Sequence, residues 1–171
     1  VTLRGNDFKH INAEYHRVGN GVFATNSTFT VAAGCTSGTI PCTSFDPNTF
    51  ENLNMGIQAT NSSSILSFNV DRNVFINNNV GIRANATSLA SITRNTFKVF
   101  ETPRYKTGGV YLFKSTKYVV EENNFGIANT TALSGAKAYG LVIIILDQKV
   151  TWFIAILLKI CILEDNQKIQ M

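Results

Sequence analysis

Residues 68–97 read FNVDRNVFINNNVGIRANATSLASITRNTF and contain one short pattern twice. Asn73-Val74-Phe75 and Asn95-Thr96-Phe97 share the form N-x-F, and an apolar residue lies three positions before each asparagine. The same tripeptide occurs five times in the chain, at residues 6–8, 48–50, 73–75, 95–97 and 123–125. Self-similarity at such a period is typical of solenoids, in which each repeat is one structural unit.

A second element follows each copy and has the form Gly, apolar, variable, apolar. Its five copies are residues 21–24, 56–59, 81–84, 109–112 and 140–143. Runs this short are too brief for helices and favour one strand per element. Because successive side chains of a strand point to opposite faces, the two apolar members can face a shared interior while the variable member faces outward.

Stacked coils would place equivalent residues directly above one another. The aromatic member of the repeat then forms an internal column of Phe50, Phe75, Phe97 and Phe125. The asparagine carries both a donor and an acceptor and can bond to the turn backbone and to its neighbours in the stack. The predicted asparagine ladder consists of Asn48, Asn73, Asn95 and Asn123.

The N-x-F and G-I-x-A elements resemble the repeats of right-handed parallel β-helix proteins of the pectin-lyase-like group, of the secreted or surface bacterial type. The resemblance covers most of residues 1–143 and implies an all-β solenoid of about five coils. It implies no particular activity, because the group includes polysaccharide lyases, glycoside hydrolases, adhesins and non-catalytic surface proteins.

The formal net charge is +4, and the basic residues are scattered without a dense run. This pattern predicts that nucleic acid is not a partner. The chain opens at Val1 without a secretion signal, and we expect it to be an internal piece of a larger protein that lacks an N-terminal part.

Residues 25–44 carry extra sequence rich in Thr, Ser and Gly, which we interpret as a loop that leaves the coil. It contains Cys35 and Cys42, and no neighbouring His or Cys completes a metal set. A local disulfide, typical of an oxidising extracellular setting, is the favoured reading, and a pair of unlinked thiols is the alternative.

From residue 144 to residue 171 the repeat is replaced by an apolar tail. The apolar run over 150–163 is shorter than the roughly 20 residues that a membrane-spanning helix needs, so we predict no membrane span. Codons permitted for 150–171, when read two bases later, can encode NLVYRNTFKNLYIGRQSKNTN, which contains a further N-T-F repeat. We therefore hypothesise a frameshift near residues 143–149.

The variable positions of the Gly elements include Gln58, Arg83 and Tyr111, which would lie in one outward column. These side chains could bind a polysaccharide by hydrogen bonds and stacking, and Arg83 could meet a carboxylate. An ordinary solvated sheet face is the simpler interpretation.

Alignment on the ladder asparagines places Asp46 and Asp71 on neighbouring coils, two residues before Asn48 and Asn73. Two carboxylates so placed could hold Ca²⁺ or act as acid and base. Against this, Arg72 lies beside Asp71 and could neutralise it. We predict no other cofactor.

Two functions follow from these observations as hypotheses. The first is a non-catalytic segment of a secreted or cell-surface protein that serves as a rigid spacer or an adhesive surface. The alternative is a fragment of a polysaccharide lyase or glycoside hydrolase that binds an acidic polysaccharide.

Overall fold

The structure is a computed structural model that describes residues 1–11, 18–63, 65–100, 107–128, 138–146 and 153–159. These residues form strands, turns and bends, and no helix occurs among them. The strands are β1 (Thr2–Leu3), β2 (Asp7–Lys9), β3 (Asn20–Thr25), β4 (Phe29–Ala32), β5 (Gly34–Cys35), β6 (Phe45–Asp46), β7 (Thr49–Glu51), β8 (Met55–Thr60), β9 (Phe68–Asp71), β10 (Val74–Ile76), β11 (Val80–Asn85), β12 (Ala90–Thr93), β13 (Thr96–Val99), β14 (Thr107–Phe113), β15 (Val119–Glu121), β16 (Asn124–Ile127), β17 (Ala138–Leu146) and β18 (Phe153–Lys159).

Three sheets organise the chain. Sheet A has the order β1-β4-β9-β12-β15, sheet B has the order β2-β7-β10-β13-β16, and the first five strands of the six-stranded sheet C have the order β3-β8-β11-β14-β17. All neighbours within these orders pair in parallel, and the chain visits the three sheets in turn. The prediction of an all-β solenoid with stacked parallel strands is therefore confirmed.

A column of phenylalanine rings fills the interior behind sheet B. The rings of Phe8, Phe50, Phe75, Phe97 and Phe125 lie 4.7–4.9 Å apart between neighbouring centroids, and their planes differ by 6–11°. A parallel sheet sets this distance, because its strands lie about 4.8 Å apart. Phe50, Phe75 and Phe97 are at most 2% exposed, so the column is a large part of the core.

A ladder of asparagines runs beside this column at the corner between sheets A and B. Asn48 donates from Nδ2 to Oδ1 of Asn73 at 2.7 Å, and Asn73 donates likewise to Asn95 at 3.1 Å. Asn95 continues the series by donating to Asn123 at 3.0 Å. The amides also donate to carbonyls of sheet A, as Asn73 does to Val31 at 2.9 Å. The buried polar groups of this corner are thus bonded both along the stack and across it.

The residue before most ladder asparagines has a left-handed backbone. Arg72, Arg94 and Glu122 have φ values of 54°, 56° and 55°, and Gly5 holds the same place with φ 59°. This conformation makes a sharp corner between consecutive strands, and the asparagine that follows it turns its amide into the stack.

A glycine column gives the phenylalanine rings their room. A Cβ atom on Gly56 would lie 2.6 Å from the carbonyl oxygen of Gly81 and 2.7 Å from Cδ1 of Phe75. Gly81 and Gly109 are crowded in the same way by Phe97 and Phe125. Glycine is required here by the close approach of neighbouring coils.

Within residues 18–63, an excursion interrupts the stack, and it begins after Ala32, later than the start of the loop predicted for residues 25–44. Phe29–Ala32 forms β4, which lies in sheet A with Val31 opposite Val70. The chain leaves after Ala32, forms the antiparallel pair β5–β6, and returns at residue 48. Cys35 and Cys42 form a disulfide within this excursion, with Cα atoms 5.9 Å apart.

Strand β17 carries the repeat register to Ile144, opposite Phe113 of β14. On its other edge β17 pairs with β18 in the antiparallel direction, with Leu141 opposite Leu158. The remainder of the predicted tail, residues 147–152 and 160–171, lies outside the described residues. Within the described part of the chain, no helix is long and apolar enough to cross a membrane.

Candidate functional site

The strand register of sheet C aligns four outward residues in one column. Gln58 pairs with Phe23 on one side and with Arg83 on the other, and Arg83 pairs with Tyr111. The structure therefore brings together the three residues singled out from the sequence, one per coil, with Phe23 at the end of the row. We call Phe23, Gln58, Arg83 and Tyr111 the sheet C column.

The sheet C column combines apolar, amide and cationic groups at the surface. Phe23 is 64% exposed, and the Arg83 side chain is exposed. Gln58 is half-buried, and its Oε1 accepts a hydrogen bond of 3.0 Å from Nδ2 of Asn20. Since strands of a sheet lie about 4.8 Å apart, the column offers a different group at each step along the stack.

Tyr111 lies at the enclosed end of the column, next to the buried Val142. Its ring lies over Gly108, where any Cβ atom would collide with it. Burial raises the pKa of Tyr111 to about 12, and Tyr139 contributes to the same shift. The phenol is therefore neutral at physiological pH and retains its proton. The next residue in register, Val142, is only 2% exposed, so the accessible part of the column ends at Tyr111.

A second polar cluster surrounds Asp71 at the corner between sheets A and B. Its Oδ2 is 2.6 Å from Nη1 of Arg72, and its Oδ1 accepts from Nε of Arg94 at 2.7 Å. Thr93 donates to the same Oδ1 at 2.9 Å. Nη1 of Arg94 also lies 3.6 Å from a carboxylate oxygen of Glu122. We call these five residues the Asp71 cluster.

The electrostatics of the Asp71 cluster keep its central carboxylate ionised. Burial would raise the pKa of Asp71, but the hydrogen bonds from Arg94 and Thr93 and the positive charges of Arg72 and Arg94 outweigh it. The pKa therefore lies below its ordinary value. In return, the hydrogen bond to Asp71 raises the pKa of the Arg94 guanidinium. Such mutual satisfaction is typical of structural ion pairs.

The alignment of Asp46 with Asp71 as neighbours in the stack is wrong. Ala32 and Thr93 flank Asp71 in sheet A, whereas Asp46 pairs with Gly34 in the antiparallel hairpin. The reason is that the excursion separates residue 46 from the strand that the repeat requires. Among the described residues, no group of three or more His, Cys, Asp or Glu side chains is placed to hold a metal ion.

Sequence reasoning did not identify the residues of the following coil that bind Asp71. It also did not locate β4, the strand of sheet A that precedes Asn48. Phe29-Thr30-Val31 and Phe68-Asn69-Val70 share the form F-x-V, which is the signal that could have located β4. Phe45 lies three residues before Asn48, as the repeat would require, but it belongs to β6, and the Arg72 guanidinium lies 4.4 Å from its ring centroid. Arg72 therefore bridges Asp71 and the root of the excursion.

No protein-family model, curated protein or solved structure matches this chain.

Proposed function

We propose that residues 1–143 are right-handed β-helix coils of the pectin-lyase-like kind within a secreted or cell-surface protein, where they serve as a rigid, non-catalytic spacer or adhesive surface. The observation that carries the proposal is the unbroken series of ring stacks from Phe8 to Phe125. Because the interior columns repeat in every coil, each coil packs against the next through the same contacts. We expect a solenoid built in this way to be stiff along its axis.

The proposed right hand is supported by general connection rules. Parallel strands of one sheet joined by a crossover are right-handed in about 98% of cases, because strand twist favours that hand. Each sheet of this chain is built from such crossovers, as between β8 and β11 in sheet C.

Export from the cell is supported by the disulfide between Cys35 and Cys42. Disulfides persist in oxidising environments and are rare in the cytosol of most organisms. Antibodies raised against the chain should bind intact source cells or precipitate the protein from their medium. Detection only after the cells are lysed would contradict this part of the proposal.

A deletion of one whole coil tests the spacer. Removing residues 73–94 joins Arg72 directly to Asn95 and preserves the corner sequence before the ladder asparagine. We expect a folded protein shortened by one strand spacing, about 4.8 Å, when its maximum dimension is measured by small-angle X-ray scattering. If the shortened chain no longer unfolds cooperatively, the coils are not equivalent units and the spacer proposal is contradicted.

A second candidate function is binding of an acidic polysaccharide, as in a lyase or glycoside hydrolase fragment. It is favoured by the register that aligns Gln58, Arg83 and Tyr111 on one face. An exposed guanidinium can take a carboxylate in a bidentate pair, and the neighbouring ring can stack on a sugar.

Polygalacturonate, with neutral dextran as a control polymer, separates the two candidates. If the second candidate holds, Arg83→Ala will abolish retention on polygalacturonate, whereas Arg4→Ala removes the same charge from an exposed site outside the column and will not. Equal retention of both variants and of the parent chain excludes the column as the binding site. Release of reducing ends that depends on Arg83 would favour the enzyme over the spacer.

A further inference from the structure

The corner between sheets C and A carries the sequence N-x-S/T on three successive coils. The three sequences begin at Asn26, Asn61 and Asn85, at or just after the ends of β3, β8 and β11. N-x-S/T, in which x is not proline, is the acceptor sequence for N-linked glycans and requires an accessible asparagine. A fourth copy begins at Asn129, outside the described residues.

Asn26 is an exposed residue whose amide oxygen, and not its nitrogen, is bonded to the next coil. Its side chain is exposed and its backbone is left-handed, with φ 47°. Its Oδ1 accepts hydrogen bonds from the backbone N and the Oγ of Ser62, at 2.8 and 3.0 Å. These bonds hold the carboxamide with its oxygen toward the next coil, and Nδ2 donates to no other described residue. Thr28, the third residue of the acceptor sequence, is also exposed.

Asn61 occupies the equivalent corner one coil later and is closed off. It is 1% exposed, and its Oδ1 accepts from the backbone N of Ser27 at 3.2 Å. Its Nδ2 is buried and has no hydrogen-bond partner among the described residues. A sugar attached to this nitrogen would have to occupy the packed interior of the stack.

Asn85 is also restricted, because its acceptor sequence is built into the stack. Asn85 is the last residue of β11 and pairs with Thr60 and Phe113 on its two sides. Thr87 is 1% exposed, and its Oγ1 lies 3.0 Å from Oγ of Ser115. The hydroxyl that an acceptor sequence must offer is therefore engaged with the following coil.

We propose that Asn26 is an N-glycosylation site, and that it alone of these three asparagines carries a glycan in the folded protein. The donor is an oligosaccharide linked to a lipid pyrophosphate. The amide nitrogen forms a bond to C1 of the first sugar and loses one proton, while the C1–O bond breaks and the lipid pyrophosphate leaves with the electron pair. The inference rests on the proposed function in one respect: the chain must be exported through a compartment that contains an oligosaccharyltransferase.

The test expresses the full chain in yeast behind a cleavable signal peptide, with an N-terminal tag that contains a control acceptor sequence. The added signal supplies entry into the secretory pathway, so failure of natural export would count against the proposed function and leave this readout intact. Glycopeptides are mapped by mass spectrometry in the monomeric, protease-resistant fraction. Transfer to Asn61 before folding would exclude those molecules from this fraction, because the amide could no longer be buried.

We expect a glycan on Asn26 in the parent chain and in Thr28→Ser, which preserves the acceptor sequence. Thr28→Ala, which removes that sequence without touching the bonds of Asn26, should lose the glycan. An occupied control tag together with unmodified Asn26 would overturn the proposal. A glycan on Asn61 or Asn85 of the folded fraction would also overturn it.

Discussion

Asn48 donates a hydrogen bond of 2.7 Å from its Nδ2 to Oδ1 of Asn73, one coil further along the stack. Both residues are at most 1% exposed, so neither amide can turn to water instead. The backbone N of Asn73 in turn donates to Oδ1 of Asn95 at 2.9 Å. The corner between sheets A and B is therefore held by a continuous chain of amides, and each coil depends on its two neighbours.

Replacing Asn73 by alanine should destabilise the protein strongly. The substitution leaves one buried N–H of the Asn48 amide without its acceptor, and it removes the hydrogen bond of 2.9 Å that Nδ2 of Asn73 donates to the carbonyl oxygen of Val31. A buried group left unpaired costs about 1–3 kcal/mol, so we expect a loss of roughly 3 kcal/mol in urea unfolding. Asn124→Ala removes an exposed amide from β16 and should change stability by less than about 0.5 kcal/mol. Equal losses for both variants would contradict the ladder as a source of stability.

Gly56→Ala should be costly although it adds one methyl group. The new Cβ atom would lie 2.6 Å from a backbone oxygen of the next coil and 2.7 Å from the Phe75 ring. Overpacking of this kind typically costs about 1–3 kcal/mol, which thermal or urea unfolding will detect.

Gly34→Ala is the matched control for the glycine column. Its Cβ would meet its nearest neighbours at 3.8–3.9 Å, an ordinary contact, and its φ is not left-handed. We expect stability within about 0.5 kcal/mol of the parent chain. A loss at Gly34 as large as that at Gly56 would contradict the close approach of coils as the reason for the glycine column, since the entropy of the unfolded chain favours alanine at both positions.

Asp71→Asn should lower stability at neutral pH and lose its effect in acid. The pKa of Asp71 is lowered from 3.8 in the folded protein, because its hydrogen bonds and neighbouring positive charges outweigh burial. A depressed carboxyl pKa stabilises the fold above the unfolded value and ceases to do so as the pH falls through the folded value. The difference between parent and variant in urea unfolding should therefore be full at about pH 7 and shrink below about pH 3.8.

Asp7→Asn controls for the change in net charge. Asp7 is exposed in β2, outside the Asp71 cluster. Its substitution should leave little difference from the parent chain at either pH. If Asp71→Asn lowers the free energy of unfolding equally at both pH values, the cluster stabilises the fold by packing rather than by the charge of Asp71.

The gene should carry a shifted reading frame near residues 143–149. Strand β17 keeps the repeat register to Ile144, and the next described strand, β18, joins it in the reverse direction. We expect the DNA that follows to encode NLVYRNTFKNLYIGRQSKNTN when it is read two bases later. Sequencing the gene decides this directly, and codons that cannot encode that peptide would refute the hypothesis.

Much of the architecture could be predicted because the same residue types recur at equivalent positions of successive coils. The segment between Phe50 and Phe75 contains no large insertion, so the N-x-F copies of the sequence align in the register that the structure has. The same holds for Gln58 and Arg83, whose glycine lies two residues before each of them.

The interval between Phe8 and Phe50 could not be aligned in this way. It contains β3, β4 and the disulfide-closed excursion, and Phe45 lies at the same distance from Asn48 as the apolar residue of the repeat does from its asparagine. The partners of Asp71 were equally hard to predict. Arg94 reaches it from the following coil, from a corner residue whose backbone is left-handed with φ 56°.

The excursion after Ala32 shows what the corner between sheets A and B tolerates. Val31 stays opposite Val70 before it, and Phe50 stays opposite Phe75 after it. A foreign peptide could therefore be grafted between these two points without re-phasing the coils, which would make the corner a natural attachment point for displayed epitopes or affinity tags.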